Sequence, residues 1–351
     1  MNGVRMMGYE VREEQFIADT FSNEMQTDKV NLPLRQVGAI ISSLLPGPKD
    51  SDKGEIEYKT RKITSTIKEM LAQEVISGDG DDWHNLTVDL ARRGYFDLAC
   101  DILERGMKEF PKNTDLLGDY LEYGTSCGRV DQCKIYYKIL QKIPKIKYTW
   151  RGFHFSVNWL TYLWEQSDSK KELERLEKEI KQLVADYRSC LPDDEESYRC
   201  EAEFYKTMKK HSDEITALKA AVDSSIPAPK CALRLAHIYF EKGEYEEALK
   251  YAEECLKASN SIQDEVNTAF VFYLHGLCTM GANRTAGGEY PGDKVNEVYR
   301  DFNLSLKVDD RSKFVEQIAK KASLLQNQTG NKIPIEYTKL REVLDARGML
   351  G

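Results

Sequence analysis

Two stretches of this 351-residue chain are near copies of one another: GYFDLACDILERGM at residues 94–107 and GEYEEALKYAEECL at residues 243–256. Each opens on glycine, continues with an aromatic residue and places alanine five residues after the glycine. Apolar residues then follow at the three-and-four rhythm of a buried helix face. A motif written twice so far apart constrains the fold more than any single residue does. It points to a stackable helical unit that buries its apolar face only against its neighbours.

The surroundings of the two glycines sharpen this. Trp83, Leu86, Thr87 and Leu90 precede Gly94, and Ala99, Leu103 and Pro111 follow it. Ala232, Leu235, Ala236 and Tyr239 precede Gly243, and Ala248 and Ala252 follow it. At these positions the chain resembles the tetratricopeptide repeat (TPR), a helix-turn-helix unit of about 34 residues. Each matched position has a physical job. The large residue and the leucine fill the space between the paired helices. Thr87, Ala236, Ala99 and Ala248 are small enough to let those helices approach. Gly94 and Gly243 stand where the first helix must stop, because glycine accepts the left-handed conformation that ends a helix. Pro111 ends the second helix.

The register continues along the chain. Leu117, Tyr120, Gly128, Cys133, Tyr137 and Pro144 follow as a second unit, and Trp150, Phe153 and Val157 begin a third. The third unit's second helix, SKKELERLEKEIKQLVADYRSC, is longer than the family pattern. A fourth unit runs from about Ser197 through Phe204, Tyr205, Met208, Ala217 and Ala221. The unit around Gly243 is the fifth. A sixth spans 265–309 and is interrupted by GANRTAGGEYPGD. The expected fold is therefore all-α: a TPR-like α-α superhelix of five to six helix-turn-helix units over residues 81–309, with helical flanking segments at both ends. Residues 1–80 read as an N-terminal helical segment, either a cap or a docking domain, with three apolar stripes between residues 10 and 77. Residues 310–351 read as capping helices, one carrying Phe314, Val315, Ile318, Ala322 and Leu325 and another running from Ile335 to Ala346.

Little in the sequence suggests chemistry. The net charge of -8 disfavours a surface that holds nucleic acid directly. The longest uncharged apolar stretch, from Val37 to Gly47, is too short to cross a bilayer. The opening residues lack the apolar core of a signal peptide. The eight cysteines include no pair spaced as in a zinc ribbon or a thioredoxin motif, and they read as reduced core thiols of a cytoplasmic protein. SGDGDDW at 77–83 resembles the start of a calcium loop but lacks its final acidic ligand, so helix capping is its better reading. No phosphate-binding glycine loop or serine elbow is present. No catalytic residue, metal ligand or cofactor is expected.

What remains is a surface. The resemblance implies a concave groove lined by the exposed side of each unit's first helix. The residues expected there as partner-binding groups are His84 and Asn85, then Asp119 and Glu122, then Arg151, Phe155 and Trp159, then Lys230, Arg234, His237 and Glu241. Tyr148, Asn158 and Phe240 accompany them. The third unit carries more aromatics than one buried stripe can hold. Trp150, Phe153 and Val157 fit the core, which leaves Phe155 and Trp159 either as anchors facing outward or as residues covered by the long helix at 169–190. Lys230 and Arg234 resemble part of the carboxylate clamp of chaperone-binding TPR domains. That clamp also needs two asparagines, and Asp119 stands where one belongs, so a clamp is not expected. The plainer reading of Lys230 and Arg234 is a solvated face paired with nearby acids. Leu173, Leu176, Ile180, Leu183, Tyr187 and Cys190 form a short heptad seam, offering either internal packing or a homodimer contact through 169–190.

The function expected is a non-catalytic protein–protein interaction scaffold, or the regulatory subunit of an effector enzyme, holding a peptide or partner domain in the groove. The alternative is a ligand-sensing switch that binds a small peptide or nucleotide and releases a partner.

Overall fold

The computed structural model describes residues 78–258, 265–285, 288–308 and 314–350, together with residues 32–33, 60–61, 64–65, 67–68 and 76–77. The apolar stripes read between residues 10 and 77 lie largely outside the described residues. Leu32–Pro33 (β1) and Ile76–Ser77 (β2) form a two-residue parallel pairing that the helical patterning did not announce. The chain divides into two compact units, Met1–Leu163 and Trp164–Gly351.

The first unit holds α1 (Gly80–Arg92) and α2 (Phe96–Glu109), α3 (Thr114–Ser126) and α4 (Val130–Gln141), and most of α5 (Trp150–Glu165). The second holds α6 (Lys170–Cys190), α7 (Glu196–Thr207) and α8 (His211–Val222), α9 (Pro229–Glu241) and α10 (Tyr245–Ala258), α11 (Glu265–Ala282) and α12 (Gly292–Val308), α13 (Phe314–Thr329) and α14 (Thr338–Ala346). The protein is all-α in its architecture, built of antiparallel helix pairs at the expected register.

Each start and stop has a local cause. Asp79 caps α1, its side chain accepting from the Asp82 backbone N–H at 2.8 Å while Asp82 reaches back to the Asp79 N–H. The aspartates of SGDGDDW thus serve as a capping box. Asn113 caps α3 and Ser169 caps α6, each side chain accepting from backbone N–H groups of the first turn. The turn inside four of the helix pairs is the same hydrogen-bonded loop. Gly94, Gly128 and Gly243 take φ of 89°, 81° and 77°, and the residue after each glycine donates its N–H back to the helix: Tyr95 to Leu90, Arg129 to Gly124 and Glu244 to Tyr239. In the fourth pair the left-handed position is held by Lys209, at φ 58°.

The core follows the repeat. Trp83, Leu86, Thr87 and Leu90 of α1 and Ala99 and Leu103 of α2 are all buried, as are Leu235, Ala236, Tyr239, Ala248 and Ala252 in the fifth pair. Fully burying one such leucine contributes about 1.5–3 kcal/mol. The seam on α6 is taken up by internal packing: Leu176, Ile180, Leu183 and Tyr187 are buried, and Leu173 and Cys190 are half-buried at its ends. Toward the C-terminus, Ile318, Ala319, Ala322 and Leu325 of α13 and Leu340 and Leu344 of α14 join a cluster with Tyr299, Phe302 and Leu306. The last helix starts later than the patterning suggested. Ile335 is 81% exposed, and α14 begins at Thr338, where the Asn303 side chain accepts the Leu340 N–H at 3.1 Å.

The turns give a direct test. A Cβ built at Gly94 would meet nothing within 4 Å, so its only penalty is the backbone conformation. Gly94→Ala should cost about 1 kcal/mol, and Lys209→Gly should gain about 0.5–1 kcal/mol, both read from urea unfolding midpoints. A neutral result at both positions would contradict the turn assignment.

Candidate functional site

The first helices of the three repeats in the first unit present a joined polar cluster. His84 on α1 donates from Nδ1 to Asp119 Oδ2 on α3 at 2.5 Å. The other oxygen of Asp119 faces Nε of Arg151, on α5, at 3.9 Å. Asp119 is 0% exposed and His84 is buried at 9%. Three expected groove residues, from three successive repeats, therefore meet in one polar chain. Beside it Asn158 donates to Glu122 Oε2 at 3.5 Å and to His154 Nε2 at 3.1 Å. Asn85 lies exposed on α1.

Close backbone approach makes this convergence geometrically available. A Cβ at Gly118 of α3 would stand 2.9 Å from the Arg151 carbonyl oxygen, and one at Gly152 of α5 would stand 3.0 Å from Cβ of Thr114. Glycine on both helices lets α3 and α5 cross nearly in contact, which brings Asp119 and Arg151 within reach of each other.

The same crossing corrects the aromatic assignment. Trp159 is 1% exposed, and Trp150, expected in the core, is 40% exposed. Tyr148, expected on the groove side, is buried instead. It packs on Phe153 with ring centroids 4.9 Å apart and donates its hydroxyl to the Leu140 carbonyl. The Lys145–Lys147 3-10 turn between α4 and α5 carries Tyr148 under the helix. Tyr148 is thus buried against Phe153, and Trp150, the first residue of α5, lies outside. The Arg151 guanidinium lies over the Trp150 ring at 4.4 Å, and Phe155 and His154 sit beside it with ring centroids 5.0 Å apart. Trp150 and His154 thus join this cluster, although neither is among the expected groove residues. Trp150 looked like core because it matches the register position of Trp83. His154 carried a signal in its place one turn before Asn158.

In the second unit the expected residues are occupied by local partners. Arg234 Nη2 pairs with Glu214 Oε1 at 3.0 Å, and Lys230 Nζ with Glu196 Oε2 at 3.6 Å. Both acids are buried, and Glu196 also binds Arg199 at 2.7 Å. His237 Nε2 lies 3.5 Å from Glu241, and its ring meets Phe270 edge-on at 5.9 Å. Lys230 and Arg234 therefore belong to a charge-paired face. Glu195 closes the N-terminus of α9 from one repeat away, accepting the N–H groups of Lys230 at 3.1 Å and Cys231 at 3.0 Å. Among the described residues no group of acidic, His and Cys side chains is arranged to hold a metal ion. No helix among them is long and apolar enough to cross a membrane.

Tandem helix pairs, three of them turning on a left-handed glycine and several bonded to their neighbours about 35 residues on, define a helical-repeat architecture. Residues 229–262, the fifth helix pair and the residues just after it, match the family profile "Tetratricopeptide repeat". Among solved structures it is similar to TTC0263, a thermophilic TPR protein of Thermus thermophilus, with 18% identity over 52% of this chain and 92% of that one, at a TM-score of 0.41. It is also similar to yeast Tom70, with 11% identity over 90% of this chain and 78% of that one, at a TM-score of 0.38. No curated protein matches it significantly.

Asp119 supplies a pH test. Burial pushes its carboxyl above the ordinary range, against the pull of His84 and Arg151. An acid raised in the folded state adds stability that is fully present below its unfolded value near pH 4 and is lost as pH rises through the folded value. Asp119→Asn keeps the shape and removes the titration. The stability of wild type minus that of the variant should fall as pH rises above about 4 in matched urea melts. A flat difference would contradict the raised carboxyl.

Proposed function

We propose that the protein is a non-catalytic interaction scaffold that receives an extended peptide, or an extended segment of a partner domain, on the first-helix face of its first unit. It would serve in the cytoplasm as the regulatory subunit of an effector enzyme or as an adaptor. The observation that carries the reading is the group Trp150, Arg151, His154 and Phe155 on α5. It is an accessible aromatic and cationic surface set beside the buried His84–Asp119 pair. Aromatic residues and arginine on a rigid helix are the side chains that most often dominate binding energy. His84 and Asp119 would act by orienting Arg151, with Glu122, Asn158 and Asn85 as polar rim. Trp159 is withdrawn as an anchor because it is buried. Lys230, Arg234, His237 and Glu241 would shape the second unit's face.

The thiol chemistry supports the non-catalytic part. Burial pushes the Cys133 thiol up to about 11, and those of Cys255 and Cys278 up to about 12, away from nucleophilic use at neutral pH.

Full-length protein used as bait in native lysate, followed by titration of the purified partner, tests the site. Trp150→Ala/Phe155→Ala should weaken binding about 30-fold or more, corresponding to about 2 kcal/mol for a binding hot spot, while Arg234→Ala changes it little. Equal affinity of the double variant and wild type would move the interface off α5.

A further inference from the structure

Three thiols gather where α2 meets the turn between α3 and α4. Sγ of Cys100, on α2, lies 3.8 Å from Sγ of Cys127, the residue that ends α3, and both are free thiols. Their exposures differ. Cys100 is fully buried, while Cys127 is half-buried, beside the Gly128 turn, where nothing packs within 4 Å of the glycine's missing Cβ. Cys133 is held apart from this pair. Its thiol donates to the carbonyls of Tyr120 at 3.7 Å and Leu121 at 3.9 Å, filling the notch left by Gly124, where a Cβ would stand 2.6 Å from the sulfur. Arg129 adds fixed positive charge nearby. Its guanidinium is tied to Asp97 and Asp101 at 2.6 Å each and to Glu104 at 3.3 Å.

We propose that Cys100 and Cys127 form a redox modification site, in which a peroxide oxidises the accessible Cys127 and the buried Cys100 resolves the product into a disulfide. In the first step the Cys127 thiolate attacks one peroxide oxygen. An S–O bond forms, the O–O bond breaks, and the departing hydroxide leaves as water after taking a proton. In the second step the Cys100 sulfur attacks Cys127, the S–S bond forms and the S–O bond breaks. A second water leaves with the Cys100 proton. The two sulfurs lose two electrons, and one hydrogen peroxide becomes two waters. Burial and the neighbouring Cys127 thiol raise the Cys100 thiol, with the Arg129 charge only partly opposing them, so Cys100 attacks as it gives up its proton to the departing hydroxide. The sulfurs must close from contact to about 2.05 Å, and the unpacked Gly128 turn beside Cys127 leaves room for that movement. The bond would fasten the end of α3, which carries Asp119 and Glu122, to α2. Reversible, sensor-type bridges of this kind suit a reducing compartment.

The test treats full-length protein with hydrogen peroxide, alkylates the remaining thiols and measures intact mass and linked peptides. The expected result is loss of two hydrogens, one Cys100–Cys127 linked peptide pair, reversal by dithiothreitol, and a Tm higher on the order of 5 °C. Cys127→Ser should abolish the link and Cys133→Ser should leave it. In Cys100→Val, checked for native circular dichroism, dimedone should label Cys127 as a sulfenic acid that wild type does not accumulate. Three results would each overturn the proposal: a Cys127–Cys133 link, sulfinic acid at Cys127 with Cys100 still free, or an inert Cys127 at peroxide levels that fully oxidise glutathione.

Discussion

The fold depends on a hydrogen bond that reaches one repeat forward. A helix begins with backbone N–H groups that its own chain cannot satisfy, and burying them unpaired costs free energy. Here the partner is supplied about 35 residues earlier. Thr114 accepts from the Thr149 N–H just ahead of α5, Glu195 from Lys230 and Cys231 at the start of α9, and Asn303 from Leu340 at the start of α14. Apolar burial drives each pair of helices together without direction. These bonds have direction, and they fix where the next helix starts relative to the last. The His84–Asp119 pair repeats the same reach between the first helices of two neighbouring repeats.

That constraint explains what the sequence could and could not reveal. The repeat positions Trp83, Leu86, Gly94 and Ala99, and their counterparts around Gly243, were legible because their roles are local. Each is set by helix period, by turn geometry or by contact within one pair. The long α6, with its buried seam, was legible for the same reason. The third repeat was not. Its pattern matches Trp150 to Trp83, but which aromatic enters the core depends on the 3-10 turn that feeds Tyr148 inward and on the crossing at Gly118 and Gly152. Neither of these is periodic. Tyr148 and Trp159 are buried and Trp150 is outside, an allocation the spacing alone does not fix.

The site divides along the same line. That His84, Asp119, Arg151 and Phe155 share the first-helix side follows from the register alone. That three of them form one polar chain requires distances between helices far apart in sequence. The opposite lesson comes from Lys230 and Arg234. Side by side on a helix they look like a waiting cationic pair, but Glu196 and Glu214, contributed by other helices, already neutralise them. Charge read along one helix overstates what that helix offers a ligand, because the balancing groups arrive from the neighbouring repeat.

The forward reach of Glu195 also decides where the chain can be cut. A fragment ending between Val222 and Ala228, where the repeat itself ends, keeps the Glu195 carboxylate and removes both amides that receive it. A fragment starting at Pro229 strips the same amides of their acceptor. The indivisible piece is a helix pair together with the opening turn of its successor, so adjacent pieces overlap. Deletion or grafting along the visible repeat borders would sever every such joint, whereas shifting the border a turn past the start of the next helix would carry each joint along intact.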